Sequence, residues 1–313
     1  MHLLIPYAAC ASPASREALA SLQLPHLSGL LARLSPSGRL AHDPDAPLPL
    51  VLPHERLHAR ALGLPDAPGL TPWAAHAARQ RGLAPDQPWA WFTPCHWQAG
   101  MDTVVMNDPA QLALTEPESR ALLAAMAPYL SEDGLHLELV TPTLWLVRGE
   151  PLRDLACPSL DRVIGQNLRT WQPSGPGART LRRLHSEMQM LLYTHPVNDE
   201  RTARRLPPVN AFWVHGAGVL PPALSPDPLP LRQPLALRRP ALDGDARAWA
   251  DAWARIDAED CAALAAALAQ GQDVRLSLCS ELSAQTWTPQ PRSLWTRLTR
   301  RAPSAASALL ALL

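Results

Sequence analysis

One stretch of the chain gathers residue types that bind charged or polar ligands. It runs His195-Pro196-Val197-Asn198, then Arg201, then Pro207-Pro208-Val209-Asn210-Ala211-Phe212-Trp213-Val214-His215-Gly216-Ala217-Gly218. Asparagine amides donate and accept hydrogen bonds, and a guanidinium fork matches the planar face of a carboxylate or phosphate. Glycines at a strand end let a ligand approach backbone closely. His195, Asn198, Arg201, Asn210, Trp213 and His215 are therefore the candidate ligand-binding residues, and the ligand they suit is a small phosphorylated or carboxylated metabolite. An architectural use of the same residues stays open beside this one, with asparagines capping turns and the arginine tying segments together.

A second constellation, His54-Glu55-Arg56-Leu57-His58, matches H-E-x-x-H. On a helix this pattern sets two histidines on one face to hold zinc, with the glutamate as general base. Pro53, however, places His54 and Glu55 in the first helical turn, where Glu55 meets the positive end of the helix. The segment is read as a polar helix start, with metal ligation by His54 and His58 as the alternative. Cys95-His96 puts a thiol next to a base, but neighbours on a strand point to opposite faces and cannot easily cooperate. Asp102, Asn107 and Asp108 are read as solvated turn residues, and most of the tryptophans, Trp213 apart, as core or domain-interface residues.

Composition narrows the classes. The 313 residues allow one large domain or two smaller ones. Formal charge balances to zero, a poor match for a nucleic-acid binder. All 28 lysine-plus-arginine residues are arginine, which excludes a catalytic lysine, a Schiff base or a P-loop lysine. Five scattered cysteines with no C-x-x-C spacing read as reduced thiols. The start, Met1-His2-Leu3-Leu4-Ile5-Pro6, has no basic region before its apolar run, and no apolar stretch reaches the roughly 18 residues that span a bilayer. A cytoplasmic protein with no transmembrane segment, no nucleic-acid partner and room for a protein partner is expected.

The elements that must position these residues alternate between strand and helix. A strand is expected over 2–8 and a helix over 15–34, with Leu27, Leu30, Leu31 and Leu34 on its later face. A helix near 54–62, strands within 89–106, a helix over 116–130 opened by the Thr115/Glu118 capping box, and a strand pair over 135–147 follow. Leu181, Leu184, Met188, Leu191 and Leu192 mark a helix over 180–194, which Pro196 stops. A strand over 209–215, a proline-dense linker over 221–240, a helix over 246–269 and a strand over 274–278 complete the pattern, which is that of an α/β protein. The tail from Ser293, with Trp295, Arg297, Arg300 and Arg301 before an Ala/Leu-rich end, is read as docking on its own domain or fraying, rather than as touching a membrane or partner.

The order helix, H-P-V-N, arginine, P-x-N and tryptophan-glycine resembles the archaeal-type cofactor-independent phosphoglycerate mutases of the alkaline phosphatase superfamily, with Val209 replacing the family's alanine. Leu24-Pro25-His26-Leu27, residues 107–130 and residues 137–149 are similar to further family segments. The nearest group in pattern is the bacterial regulatory proteins of the RpfE type. The resemblance implies an alkaline phosphatase-like core sheet flanked by helices (residues 1–90 and 205–313) with an inserted α+β cap (91–204). It also implies a two-metal centre with an activated hydroxyl nucleophile, yet the ligands are missing. The family's metal-binding D-G pair falls on Pro6-Tyr7-Ala8, its nucleophile segment on Pro53-His54-Glu55-Arg56, and no histidine follows His215. The expectation is a non-catalytic or repurposed metabolite-binding or regulatory protein with no cofactor, in which Arg148, Arg153, Arg162 and Arg201 are candidate anion contacts. The alternatives are an active mutase or phosphatase with relocated ligands for Mn or Zn, and a zinc hydrolase using His54 and His58.

Overall fold

The computed structural model describes residues 1–84, 86–289 and 304–313, and within them the chain forms two compact units. The first is Met1–Gly63 with Pro226–Leu313, and the second is Leu64–Ser225. In chain order the first unit opens with β1 (His2–Ile5), α1 (Pro13–Ser21), α2 (Pro25–Arg33), β2 (Ser35–Ala41) and α3 (Pro53–Ala61). The second holds α4 (Trp73–Gln80), β3 (Trp89–Cys95), β4 (Trp97–Ala99), β5 (Val104–Met106), α5 (Glu116–Glu132), β6 (His136–Thr141), β7 (Leu144–Arg148), α6 (Leu160–Val163), α7 (Ala178–Tyr193), α8 (Pro196–Ala203) and β8 (Ala211–Gly218). The chain then returns to the first unit with β9 (Leu231–Arg232), α9 (Arg238–Asp243), α10 (Ala246–Ile256), α11 (Ala262–Ala269), β10 (Arg275–Cys279), β11 (Ser283–Thr288) and α12 (Ala305–Leu310). The α/β class is as expected.

The first unit is a mixed sheet in the order β2-β11-β10-β1-β9, with β1 parallel to β9 and β10, and β11 antiparallel to both its neighbours. Strand alternation splits β1 between two faces. Leu3 and Ile5 join Leu276, Leu278 and Trp287 in the main core, where Leu27, Leu30, Trp249, Trp253 and Leu264 pack. Leu4, with Cys279 and Ala284, faces the other way, against Leu57 of α3. Ala305, Ala308, Leu309 and Leu312 also sink into the main core, so the Ala/Leu-rich end docks on its own unit as expected. Trp295, Arg297, Arg300 and Arg301 lie outside the described residues.

The second unit is a four-stranded sheet, β6-β7-β3-β8, antiparallel at every pairing, with a separate β4-β5 hairpin. α5 and α7 supply its core through Leu122, Met126, Leu130, Leu181, Leu184, Met188 and Leu192, with Phe92 stacked on Phe212 at 4.6 Å. The unit boundaries fall at 63/64 and 225/226, not at the expected 90/91 and 204/205. The physical reason is that β8 pairs with β3 along its length, so both strands belong to one sheet.

Local chemistry explains the other departures. The helix expected over 15–34 is two, because Pro25 begins α2 and cannot continue α1. Pro196 does end α7, but it also begins α8, with His195 as N-cap accepting from the Val197 N–H, so the H-P-V-N segment is a helix start. β2, β11 and α4 were not foreseen. β2 reads Ser-Pro-Ser-Gly-Arg-Leu-Ala, with little strand propensity, and exists because β11 pairs with it. Among the described residues no helix is long and apolar enough to cross a membrane.

Candidate functional site

The H-P-V-N to glycine segment lies wholly within the second unit, and its polar groups turn inward. Asn198 is buried; its amide donates to the Leu192 carbonyl at 2.7 Å and the Val209 carbonyl at 2.8 Å, and its oxygen accepts from the Val209 N–H at 2.8 Å. That clamps the end of α7 and the start of α8 to the approach of β8. Arg201 has no solvent exposure: it donates to Pro207 O at 2.9 Å, Leu112 O at 2.6 Å and the Glu118 carboxylate at 3.2 Å. Asn210 accepts from Trp97 N at 2.7 Å and donates to Trp97 O at 2.9 Å, which locks β4 beside β8. The Trp213 indole donates to Pro158 O at 3.2 Å.

His215 Nε2 shares a 2.9 Å hydrogen bond with Thr93 Oγ1, and burial lowers its pKa to about 4. The two glycines have steric reasons. Gly216 sits at φ +60°, where a Cβ would come within 2.9 Å of Trp73 Cβ; Gly218 packs on Pro72. His185, which the sequence did not single out, is buried against Trp97 and Phe212, with its pKa lowered to about 4 by burial. Its position on the apolar face of α7, four residues after Leu181 and three before Met188, was the available signal.

The remaining candidates do not converge. Arg148 donates to Gln87 at 3.2 Å, Arg153 pairs with Glu150 on the surface, and Arg162 lies 5.8 Å over the Trp171 ring. Cys95 is buried, and burial pushes its thiol well above the usual range, while His96 Nδ1 bonds to Pro208 O at 2.9 Å. All five cysteines are free, and burial raises every thiol, Cys10 to about 12. Asp108 caps a short turn by accepting from Ala110 N at 2.9 Å.

In the first unit, the edge where parallel β1 and β10 end is where open α/β sheets place ligands. Here it is filled by aromatic residues. Tyr7 follows β1 in a left-handed turn at φ +54°, is 4% exposed, and packs its ring against His54 at 5.3 Å. The Trp249 indole donates to Tyr7 O at 2.9 Å and that of Trp253 to Ala8 O at 3.1 Å, pinning the turn from below. Glu55 accepts from Leu52 N at 2.6 Å, so its carboxylate serves the start of α3. The residues present at this edge therefore do not fit a two-metal centre. Among the described residues no group of three or more His, Cys, Asp or Glu side chains is placed to hold a metal ion.

A different polar groove lies on the α3 side of the same sheet, about 440 Å³ in volume. His2 Nε2 shares a 3.0 Å hydrogen bond with Ser277 Oγ, which shares one of 2.8 Å with Thr286 Oγ1, so the row crosses β1, β10 and β11. Burial, then the nearby Arg275, lowers the His2 pKa to about 4. The sequence reading missed these residues because they are brought together by sheet register over some 270 positions; the polar His2 and Ser277 inside apolar strands were the only local signal.

No protein-family model matches the chain, and no curated protein matches it. Among solved structures, the PH0037 protein from Pyrococcus horikoshii is similar over 97% of this chain and 91% of that one, at 13% identity and a TM-score of 0.50. The cofactor-independent phosphoglycerate mutase from Thermoplasma acidophilum DSM 1728 matches over 98% of this chain and 94% of that one, at 14% identity and a TM-score of 0.39. The likeness to the PH0037 protein is one of fold, and it extends over nearly the whole chain.

Proposed function

We propose that this chain is a phosphoglycerate mutase-like protein, with an alkaline phosphatase-like core in its first unit and a cap in its second, that has lost two-metal phosphoryl transfer. It serves as a metabolite-binding regulatory protein, in the manner of the RpfE-type group. The observation that carries this reading is the turn after β1. Two-metal transfer needs carboxylates and histidines there to hold two cations about 4 Å apart. The turn offers Tyr7 instead, closed over by His54 and held by two indole N–H groups. The turn brings no carboxylate to this edge, and among the described residues no group of three or more His, Cys, Asp or Glu side chains stands there to hold a metal ion.

The His195–Gly218 segment, on this reading, is retained architecture. The side chains of Asn198, Arg201 and Asn210 spend their hydrogen bonds on backbone groups and on Glu118, which supports a role in holding α7, α8, β4 and β8 together. The capping role of Glu55 likewise argues against a zinc hydrolase at His54 and His58. Turnover of 3-phosphoglycerate, assayed with manganese supplied and again after chelation, tests the proposal. No turnover in either condition is expected; chelator-sensitive turnover would sink it and favour an enzyme with relocated ligands.

A further inference from the structure

We propose that the cavity between the β4–β5 hairpin and α7, in the second unit, binds a small aromatic monocarboxylic acid. This deepens the metabolite-binding reading and rests on it. The cavity holds about 340 Å³, in the lower part of the range of small-molecule sites. Arg169 is the one charged residue among its lining residues, which include no carboxylate. Its backbone N–H donates to Asn167 Oδ1 at 3.3 Å, but its side chain makes no hydrogen bond or ion pair among the described residues. A planar guanidinium fork matches a carboxylate, and a single positive charge matches a monoanion rather than a phosphate dianion.

The walls suit a flat apolar body. Strand alternation puts Trp97 and Ala99 of β4 on one face of the hairpin, and the Ala99–Val104 pairing sets Val104 of β5 beside them. All three line the cavity, together with Leu168. Trp97 is held in place twice over. Asn210 fixes its backbone through bonds of 2.7 and 2.9 Å, and its ring packs against His185 at 5.4 Å and Trp213 at 6.3 Å. An indole fixed in this way offers an aromatic ligand a stacked or edge contact. Asn210 and Trp213 thus serve the ligand indirectly, by positioning the Trp97 wall.

Amides line the same cavity as the guanidinium. Gln189 of α7 makes no side-chain hydrogen bond among the described residues, and Gln172 spends one donor on Leu168 O at 3.0 Å and keeps a second. Either can donate to a carboxylate oxygen. Asn167 sets the place of Arg169: its Oδ1 accepts from the Arg169 and Val104 N–H groups, each at 3.3 Å, which ties the turn Leu168–Thr170 to β5. One helical turn before Gln189, His185 is 8% exposed, and its Nε2 has no partner among the described residues. Buried polar atoms are rarely left so, and this corner therefore has hydrogen-bonding capacity that the chain itself does not use.

The test is calorimetric titration of the full chain with phenylacetate, with its neutral amide phenylacetamide, acetate and inorganic phosphate for comparison. Saturable binding of phenylacetate is expected, with each of the other three at least tenfold weaker. Arg169→Gln should remove the preference for the acid over its amide. Ala99→Phe, which leaves every charge in place, should weaken phenylacetate at least tenfold by filling the cavity. Ala99 and Arg169 are both exposed, and circular dichroism and melting temperature establish that the variants are folded. Absence of saturable binding by the wild-type chain, phosphate binding as tight as that of phenylacetate, or binding that neither variant alters overturns the proposal. Such a failure leaves the non-catalytic reading standing, whereas manganese-dependent turnover would sink that reading and leave a positive cavity result intact.

Discussion

Replacing Asn198 with alanine separates an architectural role from a ligand-binding one. The side chain makes three hydrogen bonds, to Leu192 O, Val209 O and Val209 N. After truncation Leu192 O keeps the His195 N–H at 3.2 Å, so it is not orphaned. Val209, 1% exposed, loses the partner of both its N–H and its C=O. Each orphaned buried group costs about 1–3 kcal/mol. A water entering the space of the lost amide recovers part of this, so the expected loss is about 2–4 kcal/mol. Because the chain folds as two units, a single unfolding midpoint mixes them. Hydrogen exchange resolved by peptide avoids this: protection over 192–215 should fall by roughly a hundredfold, at about 1.4 kcal/mol per tenfold, while the peptides of β1 and β10 stay unchanged. A change in protection below about threefold, worth roughly 0.6 kcal/mol, would refute the clamp and return Asn198 to the list of ligand residues.

Further outcomes follow from the same interactions. Arg201→Met removes the donor to the Pro207 and Leu112 carbonyls and one of the two guanidinium partners of Glu118, which keeps Thr115 and Arg204, and should destabilise the second unit by about 2–4 kcal/mol in urea unfolding. Burial alone would raise the Glu118 pKa, but the Thr115 N–H and hydroxyl together with Arg201 outweigh it and hold the carboxyl below its ordinary value. A depressed carboxylate stabilises the fold above its unfolded pKa of 4.5 and loses that contribution as pH falls through the lower folded value. Glu118→Gln should therefore flatten the acid limb of the second unit's stability profile. His185 is buried neutral with its pKa lowered to about 4, so its contribution is lost as pH falls from 6.5 toward 4, at a cost of about 3 kcal/mol that His185→Phe should remove from the pH dependence. Glu55→Ala should cost about 1 kcal/mol through loss of the α3 cap, and His54→Ala/His58→Ala should leave the zinc content of the purified chain unchanged, whereas loss of bound zinc would restore the zinc reading.

Much of this was legible in the sequence wherever a local rule decides the outcome. The Thr115/Glu118 capping box forms as its spacing requires, and the apolar stripe of α7 buries Leu181, Leu184, Met188 and Leu192. What local rules cannot see is long-range pairing. β2 is a strand only because β11, more than 240 positions later, pairs with it, and the unit boundary follows a β3–β8 pairing that no window spans. The roles of Asn198, Arg201 and Asn210 were undecided in the sequence for a chemical reason. An amide or guanidinium that reads a ligand is the same group that ties backbone segments, and only the partners distinguish the two. Tyr7 was legible as a missing carboxylate, but its packing on His54 depends on the fold.

The claim that the end of β1 no longer holds metals is tested most directly by manganese binding. Electron paramagnetic resonance of free Mn²⁺ during titration with the purified chain should show no loss of signal, and Tyr7→Phe should behave identically. Stoichiometric loss of the free signal, reversed on substituting His54 or Cys10 at that edge, would contradict the account.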